Sequence, residues 1–262
     1  SAGDGHVYHD NSNWDTVHDA TTGTSASYTA TTFQAGTGKA TSTNYRIYRN
    51  FIPFDTSSLP DGATITDVKL KVYVSSKLNN DNDGDDWLTV VQGTQPSTTA
   101  LTTADYDLAG SINTPTEGID TGERKDITSV STSAYLTINL NSTGRGWVNK
   151  TGSTKLALRE GHDVVDSAFT GTSGQYNSIT SRSSEYTGTT SDPILEVTYT
   201  IALQDLNYTY DANGNLKTKT YNKEYSICNM ALGTGTGPSY IVVVFDNNMP
   251  FYLCLLFYPY LP

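Results

Sequence analysis

Residues 68–74 alternate without exception, with Val68, Leu70, Val72 and Val74 on one parity and Lys69, Lys71 and Tyr73 on the other. Successive side chains of a strand point to opposite faces, so a period of two requires extended chain with one face buried. Upstream, residues 45–54 read as a second strand. The connection Asp55-Thr-Ser-Ser-Leu-Pro-Asp-Gly62 between them is dense in turn formers, because Pro60 presets φ and Gly62 tolerates positive φ. Four more stretches alternate in the same way. They bury Leu88 and Val90, then Leu136, Ile138 and Leu140, then Leu156 and Leu158, and last Leu195, Val197 and Tyr199. Short strands separated by polar loops, with almost no helical periodicity, predict an all-β fold, an antiparallel β-sandwich.

Some stretches break the alternation, and each break carries a prediction. Residues 45–54 place apolar side chains on both parities, Ile47 and Phe51 against Ile52 and Phe54. Such a strand is either covered on both faces or shifted by a bulge. Pro53 cannot donate to a ladder and favours an edge or bulge there. Residues 1–44 hold an opening strand at 6–9 and then read as long loops with one or two edge strands. The connection 93–134 is longer than a compact domain tolerates, which predicts a hidden strand or two, with a helical turn at 101–106 and a short strand at 124–127. Asn141 and Ser142 can cap a short helix carrying Trp147. A weaker strand is expected at 178–185.

Composition narrows the function. With 27 Asp and Glu against 16 Lys and Arg, the formal charge is −11. Nucleic acid is excluded as a partner, since a polyanion binder needs clustered cations to displace counterions and no cluster is present. Charged residues are only 16% of the chain, so solubility rests on hydroxyls and amides, as in many exported β-proteins. The two cysteines, Cys228 and Cys254, both fall near the end. Residues 1–201 must therefore be held by their core without covalent staples. No signal peptide or membrane-spanning run is recognisable, and the chain reads as an interior piece of a longer exported protein.

The run Arg49-Asn-Phe-Ile-Pro-Phe-Asp55, followed by Ser58-Leu-Pro-Asp-Gly-Ala-Thr-Ile65 and Leu70-x-Val-Tyr73, resembles the signature of DNRLRE-type (disaggregatase-related) modules. Ser181-Arg-Ser-Ser-Glu185 and Asp192-Pro-x-Leu-Glu-Val-Thr-Tyr199 resemble the end of such a module. The likeness covers about residues 5–200. It implies a secreted jelly-roll-like sandwich linked to carbohydrate binding.

Past this module, residues 202–221 read as a linker plus hairpin. Tyr210-Asp-Ala-Asn-Gly-Asn-Leu216 resembles a single YD (RHS-type) repeat, and Asn213-Gly214 suits its tight turn. Residues 222–262 form an atypical apolar tail that departs from both families. It ends in an apolar run with three prolines, too short to span a bilayer. Its abrupt change of composition suggests a truncated or frame-shifted reading.

Two kinds of site are visible. The acidic loop Asn79-Asn-Asp-Asn-Asp-Gly-Asp-Asp86 offers Asn79, Asp81, Asp83, Asp85 and Asp86 as oxygen ligands for a structural Ca²⁺. The competing reading is a solvated loop whose polar residues favour turns. Trp14, Trp87 and Trp147 with outward Tyr48, Tyr73 and Tyr135 offer a sugar-stacking platform, against the alternative that tryptophans serve the core. His6, His9, His18 and His162 invite a zinc reading, but residues 6 and 9 of one strand point to opposite faces, and exposed histidines are expected instead. The Arg159-Glu-Gly-His-Asp163 segment is an acid–base cluster or a structural ion pair. No catalytic constellation stands out.

The expectation is therefore a non-catalytic module of an exported or cell-surface protein, binding a polysaccharide or cell-surface glycan or acting in adhesion. A purely structural spacer beside neighbouring domains, such as an RHS/YD-repeat shell, is the alternative. A polysaccharide-degrading enzyme is the second.

Overall fold

The computed structural model describes residues 3–202, 224–233 and 240–243. The first half runs β1 (Gly5–Asn11), α1 (Trp14–His18), β2 (Ser25–Ser27), β3 (Thr32–Lys39), β4 (Tyr45–Asp55), β5 (Ala63–Asn79) and β6 (Trp87–Gln92). The second runs β7 (Lys125–Asp126), β8 (Ala134–Asn139), α2 (Ser142–Gly146), β9 (Ser153–Glu160), α3 (Gly161–Val165), β10 (Tyr176–Arg182) and β11 (Ile194–Ala202). Two further strands, β12 (Glu224–Gly233) and β13 (Tyr240–Val243), extend the β11 edge. The YD-like segment at 207–220, and the tail apart from these two strands, lie outside the described residues.

All pairings are antiparallel, and the fold is all-β, a sheet curled into a sandwich. β4 is the hinge between the layers. Its Tyr45–Phe51 portion pairs with β1 and β3, and its last four residues, from Ile52, pair with β9. Pro53 lies opposite Lys155 in that second portion, where β4 has a ladder neighbour on one side only. A residue without an N–H is tolerated at such a place.

The main core lies between the layers. Val68, Leu70, Val72 and Val74 of β5 are fully buried against Leu88, Val90, Leu156, Leu158, Leu195 and Val197. Ile138 and Leu140 join them, while Leu136 is only partly covered. Each such aliphatic chain contributes roughly 1.5–3 kcal/mol. A second core forms on the far side of β4, β6 and β9 from Val7, Trp14, Val17, Ile47, Phe51, Val91, Leu101 and Tyr106. The two parities of β4 thus feed two cores, Ile52 and Phe54 into the first and Ile47 and Phe51 into the second. Coverage on both faces, and not a bulge, explains its unbroken apolar run.

Residues 1–44 depart from the expected loops and edge strands. Residues 14–18 form a helix capped by the Asn13 side chain, which accepts from the Thr16 N–H at 2.9 Å. β3 is interior, between β10 and β4. A Cβ on Gly36 would lie 2.2 Å from that of Ser178, so only glycine lets β10 and β3 pair this closely. Small residues made this strand look too polar for a core, yet Phe33 and Ala35 are buried in it. In the long connection, the hidden order is β7 with 3-10 turns at Thr103–Leu108, Thr121–Glu123 and Ile127–Ser129. The capped turn at 142 is α2, with Asn141 Oδ1 accepting from the Gly144 N–H at 3.0 Å. No helix among the described residues is long and apolar enough to cross a membrane.

Candidate functional site

The acidic loop follows the end of β5 and leads into β6, and four of its five candidate ligands divide into two pairs. Asn79 Nδ2 donates to Asp86 Oδ2 at 2.5 Å, and Thr128 Oγ1 donates to the same oxygen at 3.2 Å. Asp86 is buried there, so this pair pins the loop to the turn that follows β7. Asp85 donates its backbone N–H to Asp83 Oδ1 at 3.1 Å. Asp81 and Asp83 turn the other way, toward α3. Their ligand oxygens and a nitrogen of His162 all lie within 4.8 Å of one another.

His162 is fixed from several sides. Glu160 caps α3, accepting the His162 backbone N–H at 3.1 Å, and its other oxygen sits 2.9 Å from Nδ1. Phe169 packs edge-on against the imidazole at 5.7 Å. Nε2 then faces Asp81 Oδ2 and Asp83 Oδ2, each at 3.3 Å. Asp81 is held in turn by Asn177 Nδ2 on Oδ1 and by the Thr170 N–H on Oδ2 at 3.2 Å. Burial disfavours the charged imidazole, but Glu160, Asp81 and Asp83 outweigh it and raise His162 to about 9. Burial likewise lifts Glu160 to about 7, opposed in part by His162. The closeness of the loop depends on Gly161, where a Cβ would stand 2.0 Å from the Asp85 carbonyl oxygen.

The histidines are not the exposed residues expected. His18 and His162 are fully buried, and His6 and His9 are half-buried. His18 Nε2 meets the Asp163 carbonyl at 3.0 Å. His6 joins Tyr8 and Tyr48 on one face of β1, and His9 meets Tyr106 on the other. The four occupy separate places, and sequence inspection had no means of pairing one of them with the distant acidic loop.

The six aromatic candidates do not form one platform. Trp14 belongs to the second core, stacked on His18, with Nε1 donating to Asp166 Oδ1 at 2.8 Å. Trp87 is covered by the Arg124 guanidinium, 3.7 Å from the ring centre. Tyr48 is enclosed by His6, Tyr8 and Tyr176. Tyr73 and Tyr135 are cross-strand partners on the outward face of β5 and β8, packed edge to face at 5.4 Å, with Arg182 over Tyr73. Cation–π pairs of this kind occupy the ring faces that a sugar would use. Trp147 differs. It packs one edge against Gly118 and lines an open groove of about 390 Å³ with Gln92, Thr94, Asn149, Ser153 and Lys155. No ring or cation stacks on it among the described residues.

The groove at Trp147 is one of several open grooves of similar volume, another being lined by Asp67, Lys69, Asp120 and Arg145 and a third by Ala63, Ile65, Val148 and Lys150, and it is the one that contains a candidate aromatic residue. No family model matches the chain, and no curated protein matches it.

Proposed function

We propose that this chain is a non-catalytic, glycan-binding module of an exported or cell-surface protein, with the sugar held in the groove over Trp147. The single observation that carries the reading is the contrast among the six aromatic candidates. Five lie in the second core or have a ring or guanidinium packed on them, whereas Trp147, partly buried against the main core, lines an open groove with no ring or cation stacked on it among the described residues. That surface is mostly polar, with amide, hydroxyl and ammonium groups from Gln92, Asn149, Ser153 and Lys155 around the indole. A pyranose presents an apolar face ringed by hydroxyls, so one aromatic wall with several hydrogen-bonding groups is the complementary chemistry. The polar, weakly charged surface and the resemblance of residues 5–200 to DNRLRE-type modules point the same way.

Affinity electrophoresis through gels containing neutral and acidic polysaccharides, followed by calorimetry on any retained ligand, tests this. One polysaccharide is expected to retard the chain, and Trp147→Ala is expected to weaken binding at least tenfold with an unchanged far-UV spectrum. A tenfold loss is about 1.4 kcal/mol, within reach of one lost aromatic contact. Retardation by no polysaccharide, or full binding by Trp147→Ala, overturns the assignment. The spacer reading draws on a different observation, that β12 continues the sheet beyond β11. A module whose sheet runs on into the following segment suits a connector, and tandem YD repeats in the parent reading frame would favour it.

A further inference from the structure

We infer that Asp81, Asp83 and His162 form a binding site for one divalent ion of the zinc class, in place of the calcium that the loop's composition suggests. The inference is independent of the glycan reading.

The orientation of His162 carries the first step. Glu160 Oε1 sits 2.9 Å from Nδ1, and Nε2 faces two carboxylate oxygens at 3.3 Å each. One ring nitrogen and two carboxylates converging on one point offer a single cation three donor atoms. A carboxylate behind one nitrogen with a cation on the other is the arrangement that orients metal-binding histidines.

The distances favour a metal over a proton in that position. A charge-assisted N–H···O bond closes to about 2.7–2.9 Å. Both separations here are 3.3 Å, which neither carboxylate shortens. Ligands about 2.0–2.1 Å from a tetrahedral zinc stand about 3.3–3.4 Å apart along each edge. Charge points the same way. Three carboxylates, Glu160, Asp81 and Asp83, surround one imidazole. The guanidiniums of Arg49 and Arg159 are engaged by Asp163.

The donor set decides the class of ion. Calcium takes six to eight oxygens, usually with carboxylates that can bind through both atoms. In this group the central ligand is an imidazole nitrogen, and Asn177 already occupies the second oxygen of Asp81. Asp86 is turned away to Asn79 and Thr128. One nitrogen and two single carboxylate oxygens suit a borderline ion such as Zn²⁺, with water completing the shell on the side where Asp83 is one-third exposed. The ion would clip the loop after β5 to the start of α3.

The test uses the whole chain, stripped with EDTA and titrated with Zn²⁺ alone, with both cysteines alkylated so that thiolates cannot compete. One ion per chain is expected, with melting raised by about 5–10 °C at a hundredfold excess over Kd. Asp83→Asn, a change at a partly exposed residue, is expected to weaken Zn²⁺ at least tenfold while leaving the metal-free melt in place. The His162 ring protons should shift on titration in the wild-type chain only, and Ca²⁺ at millimolar concentration should not compete. Absence of Zn²⁺ binding, equal binding by Asp83→Asn, or a melt raised by Ca²⁺ and not by Zn²⁺ would each overturn the inference.

Discussion

His162 and Asp163 are neighbours on one helical turn, and the charge clusters built around them are opposites. Asp163 is fully buried and receives Arg49 Nη2 at 2.7 Å, Arg49 Nε at 3.0 Å and Arg159 Nε at 2.6 Å. What the guanidiniums have left goes to backbone carbonyls, including those of His18, Tyr106 and Ser111. Burial opposes its charge, but the two arginines hold the Asp163 carboxyl well below the ordinary range. Among the described residues His162 has three carboxylates and no guanidinium paired with them, and Asp83 leaves one side open to water. A closed cluster whose charges are paired at burial fixes structure. An open one with excess charge has room for a ligand.

The comparison is broken most directly at Asp163. Asp163→Asn would leave two buried guanidiniums facing an amide, and breaking a buried pair by removing one partner costs about 3–5 kcal/mol. Urea denaturation is expected to show a loss of that size. A loss below about 1 kcal/mol would mean that Arg49 and Arg159 find water or other partners, and that the cluster is not closed after all.

Much of the fold was legible because period two reports burial directly. Val68, Leu70, Val72, Val74, Leu156, Leu158, Leu195 and Val197 all point into the main core as expected. Two limits show why the rest was not. β3 reads as a polar loop because Gly36, Thr37 and Gly38 carry no apolar signal, although all three are buried. The site was half visible. Asp81 and Asp83 were named as ligands, but their partner lies some 80 positions downstream, and single-sequence reading has no term for such a distance. The aromatic candidates fail for a related reason. Alternation says that Tyr73 faces outward, and cannot say that Arg182 will cover it.

The second way to sharpen the comparison is to move the loop and leave its charges in place. Gly161→Ala puts a methyl 2.0 Å from the Asp85 carbonyl and 2.8 Å from the Trp87 ring. Backbone cannot yield as a side chain does, so a cost of about 3 kcal/mol is expected, the upper end for overpacking. The same variant should lose Zn²⁺ binding, because the loop carries Asp81 and Asp83. If it binds Zn²⁺ normally, the ion sits elsewhere.

Asp4 supplies the third arrangement and the smallest expected effect. It is as buried as Asp163, but its carboxylate is held by Ser184, whose N–H and hydroxyl reach it at 2.9 and 2.5 Å, and by no cation among the described residues. Burial without a cation raises its carboxyl to about 6, with the Ser184 bonds opposing and Glu185 adding repulsion. In the unfolded chain the same group titrates near 3.8. Between those values the folded state holds a proton that the unfolded state has released, so stability falls as pH rises through the window. The contribution is full below about pH 4 and gone above about pH 6, and amounts to at most about 3 kcal/mol. Urea midpoints for the wild type and Asp4→Asn across this window isolate it. The wild type should lose stability relative to the variant as pH increases. If the two curves run parallel, burial alone does not set the carboxyl's protonation, and the contrast with Asp163 cannot be put down to the arginines.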